Sequence, residues 1–66
     1  MRTLRRTAKG AELEVSQDEL VMLNNALNEV LHGIDIPEFH ARIGAERDAA
    51  EKLLAEVGRI VAASDA

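Results

Sequence analysis

The stretch 16–33, SQDELVMLNNALNEVLHG, constrains the fold more than any other part of the chain, because its start, course and end are all written in its residues. Ser16 followed by Glu19 is a capping box. The serine hydroxyl is placed to accept from the Glu19 amide, and the Glu19 carboxylate to accept from the Ser16 amide. Two of the amides a helix start leaves unpaired are then satisfied locally. Val15 before the cap and Leu20 after it have the spacing of a hydrophobic staple. Asp18 and Glu19 set negative charge against the positive end of the helix dipole. Leu20, Leu23, Leu27, Val30 and Leu31 follow at helical spacing as one apolar stripe. Gly33 stands where a left-handed residue ends a helix, with Ile34 behind it to fold back on the last turn. The expectation is a helix over 17–32.

The same helix carries a second flank. At about 100° per residue, Val21, Asn24, Asn25, Asn28 and His32 line up beside the leucines. Asn is a poor helix former, since its amide competes for backbone hydrogen bonds. Three of them in five positions are a local cost. A solvated flank, or amides tying down a neighbouring segment, accounts for this cost. A surface that meets backbone groups of a partner protein accounts for it as well, and these five residues are the candidate partner-binding set.

Strand periodicity comes before this helix. Leu13 and Val15 alternate with Glu12 and Glu14, and Leu4 anchors a weaker run, Thr3–Thr7. Ala8-Lys9-Gly10 lies between them as a turn, with Gly10 supplying conformational freedom. A β-hairpin over 3–7 and 11–15 is expected, with Arg5 or Arg6 across from Glu12 or Glu14. A flexible basic arm followed by one strand is the alternative.

Pro37 suits a first helical position and biases the residue before it to extended geometry, so a short second helix is expected over 37–43, closed by Gly44. Phe39 and Ile43 share its apolar side. A third helix is expected over 46–62. Its apolar face is Ala50, Leu53, Leu54, Val57, Ile60 and Val61, and Gly58 is placed off that face. Residues 63–66 are expected to fray. The fold class is therefore mainly α with an N-terminal β-hairpin, an α+β arrangement in one small domain spanning 1–66.

Sixty-six residues sit near the lower limit for a self-supporting core, and there is no Cys to form a disulfide or a thiolate metal site. Small domains of this kind gain stability by pairing with a copy of themselves or with another chain. Met22 and Val21 lie off the leucine stripe, and the third helix outruns the cover a two-turn second helix can give. A homodimer is expected on that ground, with a monomer in which the hairpin covers the end of the third helix as the alternative. The net charge of −4 hides an asymmetry. Arg2, Arg5, Arg6 and Lys9 give the first eleven residues +4, whereas the remainder carries four basic and twelve acidic residues, a balance of −8. No apolar run reaches membrane-spanning length, and no apolar region follows the basic start as in a secretory signal. The expected location is cytoplasmic, with no membrane partner.

Residues that carry chemistry are few. His32 and His40 lack a carboxylate four residues away. With Asp35 and Glu38 they form at best a loose cluster that matches no metal-ligand spacing. Ser16 is committed to a cap, and no Gly-rich phosphate loop occurs. No enzyme activity, no cofactor and no metal are expected.

Residues 39–57, FHARIGAERDAAEKLLAEV, resemble the helix–turn–helix of bacterial regulators: a short helix ending in Ile43-Gly44, a turn, then an amphipathic helix with Leu53 and Leu54 inward. The resemblance implies DNA contact through Arg47 at the start of the second helix, and the basic N-terminal segment would add Arg2, Arg5 and Arg6 as an arm on phosphate. Asp48, Glu51 and Glu56 on the would-be recognition helix oppose that, because phosphate contacts supply much of the affinity in DNA binding. Nucleic acid is thus the second expectation. The first is a small non-catalytic interaction or regulatory module, such as an inhibitor, an immunity-like partner or an adaptor, that docks on another protein.

Overall fold

A computed structural model describes residues 1–63. Strand β1 (Arg2–Thr7) and strand β2 (Gly10–Glu14) form a two-stranded antiparallel sheet. Their register pairs Arg2 with Glu14, Thr3 with Leu13, Arg5 with Glu12 and Arg6 with Ala11, and it slips between Thr3 and Arg5. The slip makes Leu4 the extra residue of a bulge, which brings it alongside Thr3 opposite Leu13. Arg2 and Arg5 meet Glu14 and Glu12 across the ladder at 3.4 and 3.1 Å. Both strands are exposed throughout. At the turn, the Thr7 hydroxyl donates to the Gly10 carbonyl and accepts from the Lys9 amide, each at 3.3 Å. Gly10 is not left-handed, so a side chain–backbone clasp holds this turn and glycine's freedom is not used.

Helix α1 (Gln17–Asn28) begins as its sequence dictates. The Glu19 N–H donates to Ser16 Oγ at 3.2 Å, and the Ser16 N–H donates to Glu19 Oε1 at 2.9 Å. Its end differs from expectation. Residues Glu29–Gly33 form a π-helical turn, and the Ile34 N–H reaches back to the Glu29 carbonyl at 3.1 Å. Gly33 is not left-handed, and Ile34 is extended and exposed. A Cβ at Gly33 would fall on the Glu29 carboxylate, the far end of a flexible, exposed side chain that can swing aside.

Helix α2 (Phe39–Ile43) starts two residues later than the proline suggested. Pro37 belongs to the preceding turn, and Glu38 caps the helix in the left-handed region at φ 54°, its carbonyl accepting from the Ala41 and Arg42 amides at 3.0 and 3.2 Å. Gly44, at φ 88°, closes it as expected. Helix α3 (Arg47–Ala63) follows and includes Ala63, the first residue of the tail expected to fray. The rest of that expectation, at 64–66, lies outside the described residues.

Helices α1 and α3 pack antiparallel: Leu31 meets Arg47, His32 meets Glu51, and Asn24 faces Gly58. Leu31 and Ala50 are the buried hydrophobic residues, at 4% and 5% exposure. Leu20, Leu27, Val30, Leu54, Val57 and Val61 surround them half-buried. Gly58 therefore lies in the seam, contrary to its expected place off the apolar face. A Cβ built there meets nothing nearer than Asn24 Oδ1 at 3.6 Å, which is ordinary contact distance. Since Gly costs a helix interior about 1 kcal/mol relative to Ala, Gly58→Ala should stabilise the domain by about that amount. A thermal melt checks this, and an unchanged or lower midpoint would mean that the seam has no room.

The hairpin stands off the helix pair. It makes no extensive contact with α3, and a salt bridge at 2.6 Å from the Met1 ammonium to Glu19 Oε2 ties its start to α1. The result is a slab of 34 × 32 × 16 Å with a radius of gyration of 13.2 Å, against about 11 Å for a compact chain of this length.

Candidate functional site

The feature that sets this molecule apart is the apolar surface it leaves uncovered. Among the described residues ten large hydrophobic side chains are exposed. The accessible area is 5216 Å², whereas a compact monomer of 7.2 kDa shows about 4,100 Å². Two layers of secondary structure enclose a core in an ordinary domain. Here α1 and α3 pack chiefly on each other and on the π-turn, and the hairpin packs extensively on neither.

Two apolar ladders, partly exposed and partly half-buried or buried, run along the helices with regular spacing. Leu20, Leu23, Leu27 and Val30 step by three, four and three residues along α1. Ala50, Leu53, Val57 and Ile60 step identically along α3. This is the spacing of a heptad seam. On each helix the ladder lies roughly a third of a turn from the residues that face the other helix, in the same rotational sense. In an antiparallel pair the same sense places both ladders on one side. Leu23, Leu53 and Ile60 are its exposed members, at 43, 49 and 52%. The opposite side presents Asn25, Glu29, Asp48, Lys52 and Arg59, all exposed. Beside the ladder on α1, Met1, Glu19, Met22, Leu23 and Ala26 line an open, mostly apolar cleft of about 340 Å³.

Arg47 holds one end of this face together. It was expected at a phosphate, but its Nη1 donates to the Leu31 carbonyl at 2.7 Å and its guanidinium lies over the Phe39 ring, 4.6 Å from the centroid. The last carbonyls of a helix lack intrahelical donors, so the π-turn offers Leu31 O to a side chain. One residue thereby joins the π-turn, α2 and α3.

The other expected site residues disperse. Of the candidate partner-binding flank, Val21, Asn25 and Asn28 are exposed. Asn24 is half-buried against Gly58, and His32 Nε2 lies 3.5 Å from Glu51 Oε1, an ion pair while the imidazole is protonated. Part of that flank is thus the seam with α3. The four candidate nucleic-acid residues do not form one face: Arg2 and Arg5 are paired with glutamates on one side of the hairpin, Arg6 sits opposite Ala11 on the other, and Arg47 is engaged within the fold. Among the described residues no three His, Asp or Glu side chains come together as a metal site, and no helix is long and apolar enough to cross a membrane. Sequence reasoning missed the Arg47 clamp and the paired ladders. The repeated three-four-three spacing was the available signal for the ladders; nothing local signals the clamp.

The fold perturbs the Glu19 carboxyl. The hydrogen bond from the Met1 ammonium, then the one from the Ser16 amide, lowers its carboxyl from 4.5 to about 2. A depressed carboxyl contributes stability above its unfolded value and loses it as pH falls through the folded one. The contribution should be complete above about pH 5 and fade towards pH 2. Melting points of the parent and of Glu19→Gln from pH 7 to pH 2 check this. The two curves should converge at the acid end; a constant gap would show that the carboxyl is not ionised selectively by the fold.

No protein-family model, no curated protein and no solved structure matches the chain.

Proposed function

We propose that this protein is a small, non-catalytic interaction module that works by docking its apolar helical face on another protein chain, as an inhibitor, an immunity-like partner or an adaptor does. The observation that carries this reading is the ordered, exposed ladder of Leu23, Leu53 and Ile60 on a slab whose buried hydrophobic residues are Leu31 and Ala50. Contiguous exposed apolar surface rimmed by polar residues marks interaction sites. The acidic body supports a protein surface as partner over phosphate, because twelve acidic residues repel a polyanion.

The test is affinity capture with the intact chain and with Leu23→Asp from extracts of the source cell. A protein retained by the parent and lost with the variant, at matched helicity, is the expected result. Equal retention by both would defeat the assignment of this face. Nucleic acid is addressed by titrating duplex DNA of mixed sequence at rising salt. Only weak binding that disappears near physiological salt is expected, because condensed-ion release makes any contact by the hairpin arginines strongly salt-dependent. Tight binding to a defined duplex at that salt would replace this reading.

A further inference from the structure

We infer that the occupant of the apolar face is a second copy of this chain, packed face to face so that two helix pairs make a four-helix arrangement about a two-fold axis. The inference rests on the reading of that face as a docking surface and names its partner.

Three observations converge on it. First, area: the chain exposes roughly 1,100 Å² more than a compact monomer of its mass. A stable interface buries about 800 Å² on each partner. The hairpin, whose strands are exposed throughout, supplies part of this excess, and the exposed helical face supplies area for an interface as well.

Second, spacing: both helices carry the same three-four-three ladder on the same side. Heptad seams interdigitate with other heptad seams, and antiparallel pairs carrying them close into four-helix bundles. A face made of Leu20, Leu23, Leu27 and Val30 beside Leu53, Val57 and Ile60 is complementary in kind to itself. Two-fold pairing requires nothing else, since one patch meets its own copy.

Third, thickness: the slab measures 16 Å in its short direction. Domains enclose their core between two layers. A second slab laid on the apolar side supplies the missing layer and covers Leu23, Leu53 and Ile60 together. The polar side, with Asp48, Lys52 and Arg59, then faces water on both copies.

The test is the solution mass of the intact chain by sedimentation equilibrium from 1 µM to 1 mM. A mass of twice 7.2 kDa is expected at the upper end. Leu53→Asp enters a two-fold interface twice and puts two carboxylates into apolar contact, so the dimer dissociation constant should rise by at least about a hundredfold. Lys52→Asp, on the polar side, should leave it within about threefold. Circular dichroism shows whether each variant keeps its helices. Should Leu53→Asp fail to fold, Leu53→Cys takes its place. The chain has no other cysteine, so mild oxidation or a short bis-maleimide should link Leu53→Cys chains to each other and leave Lys52→Cys chains unlinked. A mass of 7.2 kDa at 1 mM overturns the proposal, as does a dimer that survives in folded Leu53→Asp. If the mass is monomeric and Leu23→Asp still abolishes capture of a different protein, the second copy is the wrong occupant and the docking face stands. If neither effect is seen, both are wrong.

Discussion

Leu31→Ala should unfold this protein or lower its melting point by about 10–30 °C. Among the described residues Leu31 is the large hydrophobic side chain that is buried, at 4% exposure. Removing three buried carbons from such a site costs about 2–5 kcal/mol, as lost transfer free energy plus the cavity left behind. A domain of 66 residues has only about 3–10 kcal/mol of total stability. Each kcal/mol moves the midpoint of so small a domain by about 4–8 °C. Leu27, the middle of the leucine stripe by sequence, is only half-buried, so Leu27→Ala should cost less. Thermal and denaturant unfolding of the two variants side by side decides the matter. Equal losses, or a larger loss at Leu27, would place the centre of packing elsewhere than at the junction of the π-turn and α3.

Arg47→Ala should cost about 2–3 kcal/mol and loosen α2 selectively. Two interactions are lost at once. The charge-assisted hydrogen bond to the Leu31 carbonyl, 2.7 Å long, belongs to a class worth about 1.5–3 kcal/mol. The guanidinium over the Phe39 ring adds about 0.5–1 kcal/mol at a partly solvated site. Their sum is discounted because the side chain keeps contact with water. Helix α2 has five residues and cannot persist without an anchor. Amide exchange at Ala41, Arg42 and Gly44, whose N–H groups close this helix, should therefore accelerate more than exchange in α1. Arg47→Lys retains the charge and loses the planar fork, so it should fall between parent and Arg47→Ala. If Arg47→Ala melts with the parent, or if all helices loosen alike, the residue is not the clamp its geometry describes.

The two predictions concern residues that were read from the sequence in different ways. Leu31 was placed in the apolar stripe of 20, 23, 27, 30 and 31, but nothing in that stripe singles it out. Its enclosure comes from the π-turn, which carries it against Arg47 and α3. Arg47 was read as an outward cation at a helix start. That reading is reasonable, because an arginine has no preferred partner until a neighbouring carbonyl and ring are brought within reach.

What the sequence determined by itself is local. Ser16 and Glu19 specify the start of α1, because both partners of the capping box lie within four residues of each other. Alternation of Leu13 and Glu14 with their neighbours specifies β2, and the Arg–Glu pairs across the hairpin follow from the strand period. Gly44 specifies the end of α2, since few residues other than glycine tolerate φ 88°. The tertiary structure decided what needed a second element. Gly33 suits a left-handed cap and a π-turn equally, and the Ile34 amide chose the Glu29 carbonyl. Pro37 suits a turn as well as a first helical residue, and the left-handed Glu38 behind it set the start of α2 at Phe39. Gly58 entered the seam because α3 docks on Asn24. The pattern of apolar residues states which faces avoid water. Only the packing of α1 on α3 decides which of those faces is covered and which is left exposed.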